Sequence, residues 1–163
     1  MRKDLSQRAI LLVEDNPVDV DLTLRAFKRR NLVNPVEVAR DGDEALSWLQ
    51  RWEDGEALPL VVLLDLKLPR VDGIEVLRQL RNTAISRNLP VVVLTSSNVE
   101  SDISAAYDAG ANSYIVKPVN FENTHGWTKL QLPPAAPERG EPFEAVLAEP
   151  DVPWGVRENV NRY

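Results

Sequence analysis

Five short apolar runs alternate with amphipathic stretches between Ala9 and about Val119. The first, Ala9-Ile10-Leu11-Leu12-Val13, has no polar positions, as expected of a central strand buried on both faces. It ends in Glu14-Asp15, after which Asn16-Pro17 supplies an N-cap and a proline at the first helical position. Val20, Leu24 and Phe27 then recur at helical spacing and predict the first helix. Pro35 to Ala39 alternates weakly and reads as a short second strand closed by Asp41-Gly42, with Ala45, Leu49 and Trp52 marking the next helix. Leu60 to Leu64 is a third strand ending in Asp65, and Glu75 to Asn82 a third helix with Leu77 and Leu80 inward. Val91 to Leu94 ends in Thr95, and Ile103, Ala106 and Tyr107 mark a fourth helix closed by Gly110. Ser113 to Val116 is the fifth strand, ending in Lys117.

A βαβα order of this kind predicts an α/β fold, a doubly wound parallel sheet of five strands with helices on both faces. After Phe121 the pattern changes, because six of the 12 prolines lie beyond it and Pro133-Pro134 and Pro137 forbid a long helix. A short apolar stretch, Phe143 to Leu147, reads equally as a helical turn or a strand. The expected organisation is an N-terminal lead over 1–8, a domain over 9–123, and an atypical proline-rich extension over 124–163 in place of a clear fifth helix. Apolar residues of that extension, Trp127, Leu130, Leu132, Phe143 and Trp154, could cover the sheet or serve as a docking or dimerisation arm.

Charge and composition narrow the chemistry. A net charge of -6 disfavours binding to a phosphate backbone, and the extension is too short and too rich in proline for a helix-turn-helix. No apolar run is long enough to span a bilayer and no signal sequence is visible, so a cytoplasmic protein is expected. The absence of cysteine removes disulfides, thiolate catalysis and thiolate-bound metals. In an open parallel sheet, ligands bind beyond the carboxyl ends of the strands, and four of the five strands here end in Glu14-Asp15, Asp65, Thr95 and Lys117. Three carboxylates at one edge call for a counter-ion, since two like charges about 4 Å apart repel by about 4 kcal/mol at an effective dielectric near 20. Oxygen donors without His or Cys suit a hard divalent cation, Mg²⁺ better than Ca²⁺.

The segments Val13-Glu14-Asp15-Asn16-Pro17, Leu64-Asp65-Leu66-Lys67-Leu68-Pro69, Leu94-Thr95-Ser96 and Val116-Lys117-Pro118 resemble the response-regulator receiver family of two-component systems. Resemblance extends from Ala9 to Phe121, with separations of 30 residues from Asp65 to Thr95 and 22 from Thr95 to Lys117. Asp41-Gly42-Asp43-Glu44-Ala45-Leu46 and Ala111-Asn112-Ser113-Tyr114-Ile115 are further similar to the small regulators that partner phytochrome-type histidine kinases. The resemblance implies a flavodoxin-like strand order, 2-1-3-4-5. It also implies a phosphoacceptor signalling protein that catalyses only its own phosphorylation and dephosphorylation. Asp65 would be the nucleophile toward a phosphohistidine on a partner kinase, and Glu14, Asp15, Asp65 and the Lys67 carbonyl would hold Mg²⁺. Lys117 would contact the phosphoryl oxygens, aimed by a cis Pro118, while Thr95 and Tyr114 would form the conformational switch. Lys67 and Ser97, each two residues past a site residue, would modulate hydrolysis of the acyl phosphate. The sole histidine, His125, reads as a surface loop residue, so the phosphoryl donor comes from another protein.

Other functions fit less well. A haloacid-dehalogenase-type phosphatase wants a second aspartate two positions after the nucleophile, where this chain has Lys67. A receiver that signals without phosphate would not need the full set of Glu14, Asp15, Asp65, Thr95 and Lys117, and a Rossmann-like binder lacks its glycine-rich turn after the first strand.

Overall fold

The structure is a computed structural model and describes residues 7–97 and 99–117. Five parallel strands, β1 (Ile10–Val13), β2 (Val36–Ala39), β3 (Val61–Leu64), β4 (Val91–Thr95) and β5 (Ser113–Val116), form one sheet in the order β2-β1-β3-β4-β5. Four helices alternate with them: α1 (Pro17–Arg29), α2 (Gly42–Glu53), α3 (Gly73–Asn82) and α4 (Glu100–Asp108). Both the doubly wound architecture and the strand order agree with the sequence-based expectation. The extension over 124–163, the short Phe143–Leu147 element, His125 and Pro118 with its cis bond all lie outside the described residues.

The continuous apolar strands make sense because both faces are covered. Leu11, Val13, Val62, Leu64, Val91 and Val93 share a core with Trp48, Trp52, Val76, Leu77 and Leu80 of α2 and α3. Ile10, Leu12, Val61, Leu63, Val92 and Leu94 face the other way, with Ala26 and Phe27 of α1. Successive strand residues thus enter opposite cores, and polar alternation would leave an unpaired polar group in one of them. At the sheet edge, β2 is half-exposed along most of its length, which explains its weaker pattern.

Helix starts depart from the sequence reading in detail. In α2 the Asp41 side chain accepts from Glu44 N at 2.7 Å and Glu44 accepts from Arg40 N at 2.7 Å, so Asp41-Gly42 opens the helix instead of closing β2. Similarly, Asp72 accepts from Glu75 N at 3.0 Å, and α3 begins two residues earlier than Glu75. In α1 the buried positions are Thr23, Ala26 and Phe27, and Leu24 turns out toward solvent. Thr23 is tolerated inside because its hydroxyl donates to the Asp19 carbonyl at 2.8 Å.

Candidate functional site

Register brings the strand ends level. Val13 is opposite both Ala39 and Leu64, and Thr95 is opposite Val116. Backbone pairing then runs one residue further: Glu14 N donates to Ala39 O at 2.9 Å, Asp65 N to Val13 O at 3.0 Å and Lys117 N to Thr95 O at 2.7 Å. The first charged residue after each of β1, β3 and β5 is therefore held by the sheet ladder itself.

Side chains converge from there. Lys117 donates to Asp65 Oδ2 at 2.7 Å, to Asp19 Oδ2 at 2.9 Å and to Glu14 Oε2. Glu14 and Asp65 are buried, at 2% and 7% exposure, and Lys117 at 8%, whereas Asp15 is exposed. One carboxylate oxygen from each of Glu14, Asp15 and Asp65 lies within 4.8 Å of the other two. This all-oxygen donor set, partly open to solvent through Asp15, fits a hard divalent cation. Burial pushes the Glu14 carboxyl up to about 7, with Lys117 opposing and Asp65 adding to the rise. The Lys117 ammonium is displaced upward in spite of its burial, because Asp65, Glu14 and Asp19 all accept from it. Three carboxylates around one lysine leave the cluster anionic, which is the electrostatic reason for a metal there.

The remaining expected residues occupy the rim and the β4–α4 side. Lys67 is exposed and its backbone N donates to Asp65 Oδ1 at 3.0 Å, fixing the carboxylate from the loop after β3. Thr95 is fully buried at the end of β4, and its hydroxyl oxygen accepts from Ser97 N at 3.4 Å. Ser97 directs its hydroxyl to Asp102 of α4, and its carbonyl accepts from the Tyr114 hydroxyl at 2.8 Å. Tyr114 is 1% exposed, and burial pushes its phenol up to about 12. Asp19 is the site residue that sequence reasoning passed over. An acid in the first turn of a helix is explained well enough by the helix dipole, and nothing local signals that it reaches Lys117 from 98 residues away.

Residues 10–127 match the response regulator receiver domain. The chain belongs to this family. It is 48% identical over 115 residues to the probable methanogenesis regulatory protein FilR2 of Methanothrix harundinacea, covering 70% of this chain and 74% of that relative. The Mn²⁺-bound form of response regulator Rcp1, a protein of Synechocystis, superposes with a TM-score of 0.68 at 34% identity, covering 77% of this chain and 94% of Rcp1. The phosphorylated cyanobacterial phytochrome response regulator RcpA superposes with a TM-score of 0.67 at 37% identity, covering 72% and 86% of the two chains. As a receiver, the protein acts in phosphorelay signalling, in which receivers partner histidine kinases. Among the described residues, no helix is long and apolar enough to cross a membrane.

Proposed function

We propose that Asp65 accepts a phosphoryl group from the phosphohistidine of a partner histidine kinase, and that the resulting acyl phosphate switches the β4–α4–β5 face. The observation that carries this reading is the Asp65 carboxylate, 2.7 Å from the Lys117 ammonium and grouped with the carboxylates of Glu14 and Asp15. One Asp65 oxygen forms a bond to phosphorus as the P–N bond breaks, and the imidazole leaves with the electron pair. Glu14, Asp15, Asp65 and the Lys67 carbonyl would hold Mg²⁺, which would offset the negative charge shared by the carboxylates and the transferring group. Lys117 supplies positive charge at Asp65 Oδ2, and the Lys67 N–H holds Asp65 Oδ1 so that the carboxylate cannot rotate freely.

Switching follows from where Thr95 sits. Once its hydroxyl donates to a phosphoryl oxygen, it withdraws from Ser97 N, and Ser97 is tied both to Tyr114 and to Asp102 at the start of α4. A shift of the Ser97 backbone therefore reaches β5 and α4 together, a population shift between two packings of that face. The exposed Lys67 side chain modulates how fast water reaches the acyl phosphate, so Lys67→Ala alters its lifetime. Ser97 acts on the same lifetime through the loop, because its hydroxyl is engaged with Asp102. Pro118 aims the lysine. Catalysis is confined to the protein's own phosphorylation and dephosphorylation. The kinase is of the phytochrome type, supported by the likeness to RcpA. Phosphohistidine is made from ATP, which places the exchange in the cytoplasm. The receiver domain occupies 9–123, and the extension over 124–163 is a docking or dimerisation arm.

Intact-mass measurement after incubation with acetyl phosphate and Mg²⁺ tests the reading. The wild type gains one phosphate, reversibly and only with the metal, and Asp65→Asn gains none. A folded wild type that is never modified would make this a binding module that signals without phosphate.

A further inference from the structure

Lys117 has three ammonium protons and three carboxylate partners, Glu14, Asp65 and Asp19. Two of these partners are committed elsewhere in the proposed reaction, on which this inference rests: Asp65 becomes esterified, and Glu14 faces the metal. Asp19 has neither duty. It is delivered by the first turn of α1, which is fixed at its start by the Asn16 cap, donated to by Val18 N at 2.9 Å, and by Pro17. A second tie at the other side of Asp19 is the Thr23 hydroxyl, held by the Asp19 carbonyl at 2.8 Å and buried at 3% exposure. The carboxylate is thus presented from a rigid helix turn, with its side chain 21% exposed against 7% for that of Lys117.

Lysine is a point charge on a flexible four-carbon stem, and its position depends on what holds the head. When phosphoryl transfer takes one Asp65 carboxylate oxygen and metal binding draws on Glu14, Asp19 is the carboxylate that still ties the head to the protein while it turns to the phosphoryl oxygens. We propose that Asp19 is a positioning residue that anchors the Lys117 ammonium over the Asp65 phosphoryl site through metal binding and transfer. Asp19 lies outside the Glu14-Asp15-Asp65 donor group, and its carboxylate accepts from Lys117. It acts through Lys117 alone.

Beryllofluoride, which with Mg²⁺ and a carboxylate mimics an acyl phosphate, reads the Lys117 contact without turnover. In the presence of Mg²⁺, Asp19→Ala weakens beryllofluoride binding about 10-fold, at the low end of what losing an orienting partner costs. It also lowers the maximal rate of modification by acetyl phosphate, and it leaves the affinity for Mg²⁺ alone within about twofold. Asp19→Asn, which keeps an acceptor oxygen without the charge, falls between. In a Lys117→Met background, Asp19→Ala has no further effect, since residues acting as one unit are not additive. Unchanged or tighter beryllofluoride binding in both Asp19 variants would overturn the proposal, as would equal loss in the Lys117→Met background or a matching loss of Mg²⁺ affinity. A wild type that binds no beryllofluoride with Mg²⁺ would instead overturn the phosphoacceptor reading itself.

Discussion

Replacing Lys117 by methionine removes the ammonium while keeping most of the volume of its stem, so the variant isolates charge from packing. At an effective dielectric near 20, the attractions at 2.7 Å to Asp65 and 2.9 Å to Asp19 are each about 6 kcal/mol. Desolvation of the lysine head returns several kcal/mol of that, and removing one partner of a buried ion cluster typically costs about 3–5 kcal/mol overall. Relief comes from protonation. Burial already holds Glu14 at about 7 against an ordinary 4.5, and the lysine is what limits the rise. Since the folded state binds a proton that the unfolded chain has released between those values, the Glu14 contribution is fully present below 4.5 and is lost as pH rises through about 7. Lys117→Met is therefore less stable than wild type by about 3 kcal/mol at pH 8 without metal, and by less at pH 5. Saturating Mg²⁺ narrows the gap at pH 8, because a divalent ion takes over part of the lysine's role. Urea unfolding followed by fluorescence of the buried Trp48 and Trp52 measures all of these differences. A variant within about 0.5 kcal/mol of wild type at pH 8 in EDTA would refute the reasoning, as would a deficit that grows on acidification.

Three further outcomes are expected. A Cβ at Gly73 would lie 2.3 Å from the Asp65 carbonyl oxygen, so Gly73→Ala must push α3 away from the end of β3. It costs about 1–3 kcal/mol and slows modification by acetyl phosphate, and equal stability in thermal melts would show that this contact is slack. Tyr114→Phe loses the hydrogen bond to the Ser97 carbonyl, costs about 1 kcal/mol and removes the late-ionising phenol near 12 from an ultraviolet pH titration. Because Glu14 must lose its proton to ligate a cation, Mg²⁺ affinity falls as pH drops below about 7 and binding releases protons, which calorimetry in buffers of different ionisation enthalpy detects.

The strands and the residues of the candidate cluster were legible in the sequence for the same physical reason. A parallel sheet covered on both faces excludes polar residues from its strands, so charged residues collect at the strand ends, where Glu14, Asp65 and Lys117 stand out and converge. Gly42 misled the reading of the α2 start, since glycine usually ends an element. Gly42 and Gly73 each open a helix where there is no room for a side chain: a Cβ would lie 2.1 Å from the Val71 carbonyl oxygen at Gly42 and 2.3 Å from that of Asp65 at Gly73. Leu24, expected inside from its helical spacing, is exposed, and Thr23 is buried because its hydroxyl is satisfied within α1. Asp19 was invisible as a site residue because its partner is distant in sequence and its local role as a first-turn acid already explains it.

Reduction of the acetyl phosphate-treated protein with borohydride, followed by peptide mass mapping, locates the acyl phosphate directly, because the reagent converts a phosphorylated aspartate to homoserine. The expected result is homoserine at position 65 alone, dependent on Mg²⁺ during phosphorylation. Modification at Glu14, Asp15 or Asp19 in its place, or at no carboxylate of a folded protein, would contradict Asp65 as the phosphoacceptor.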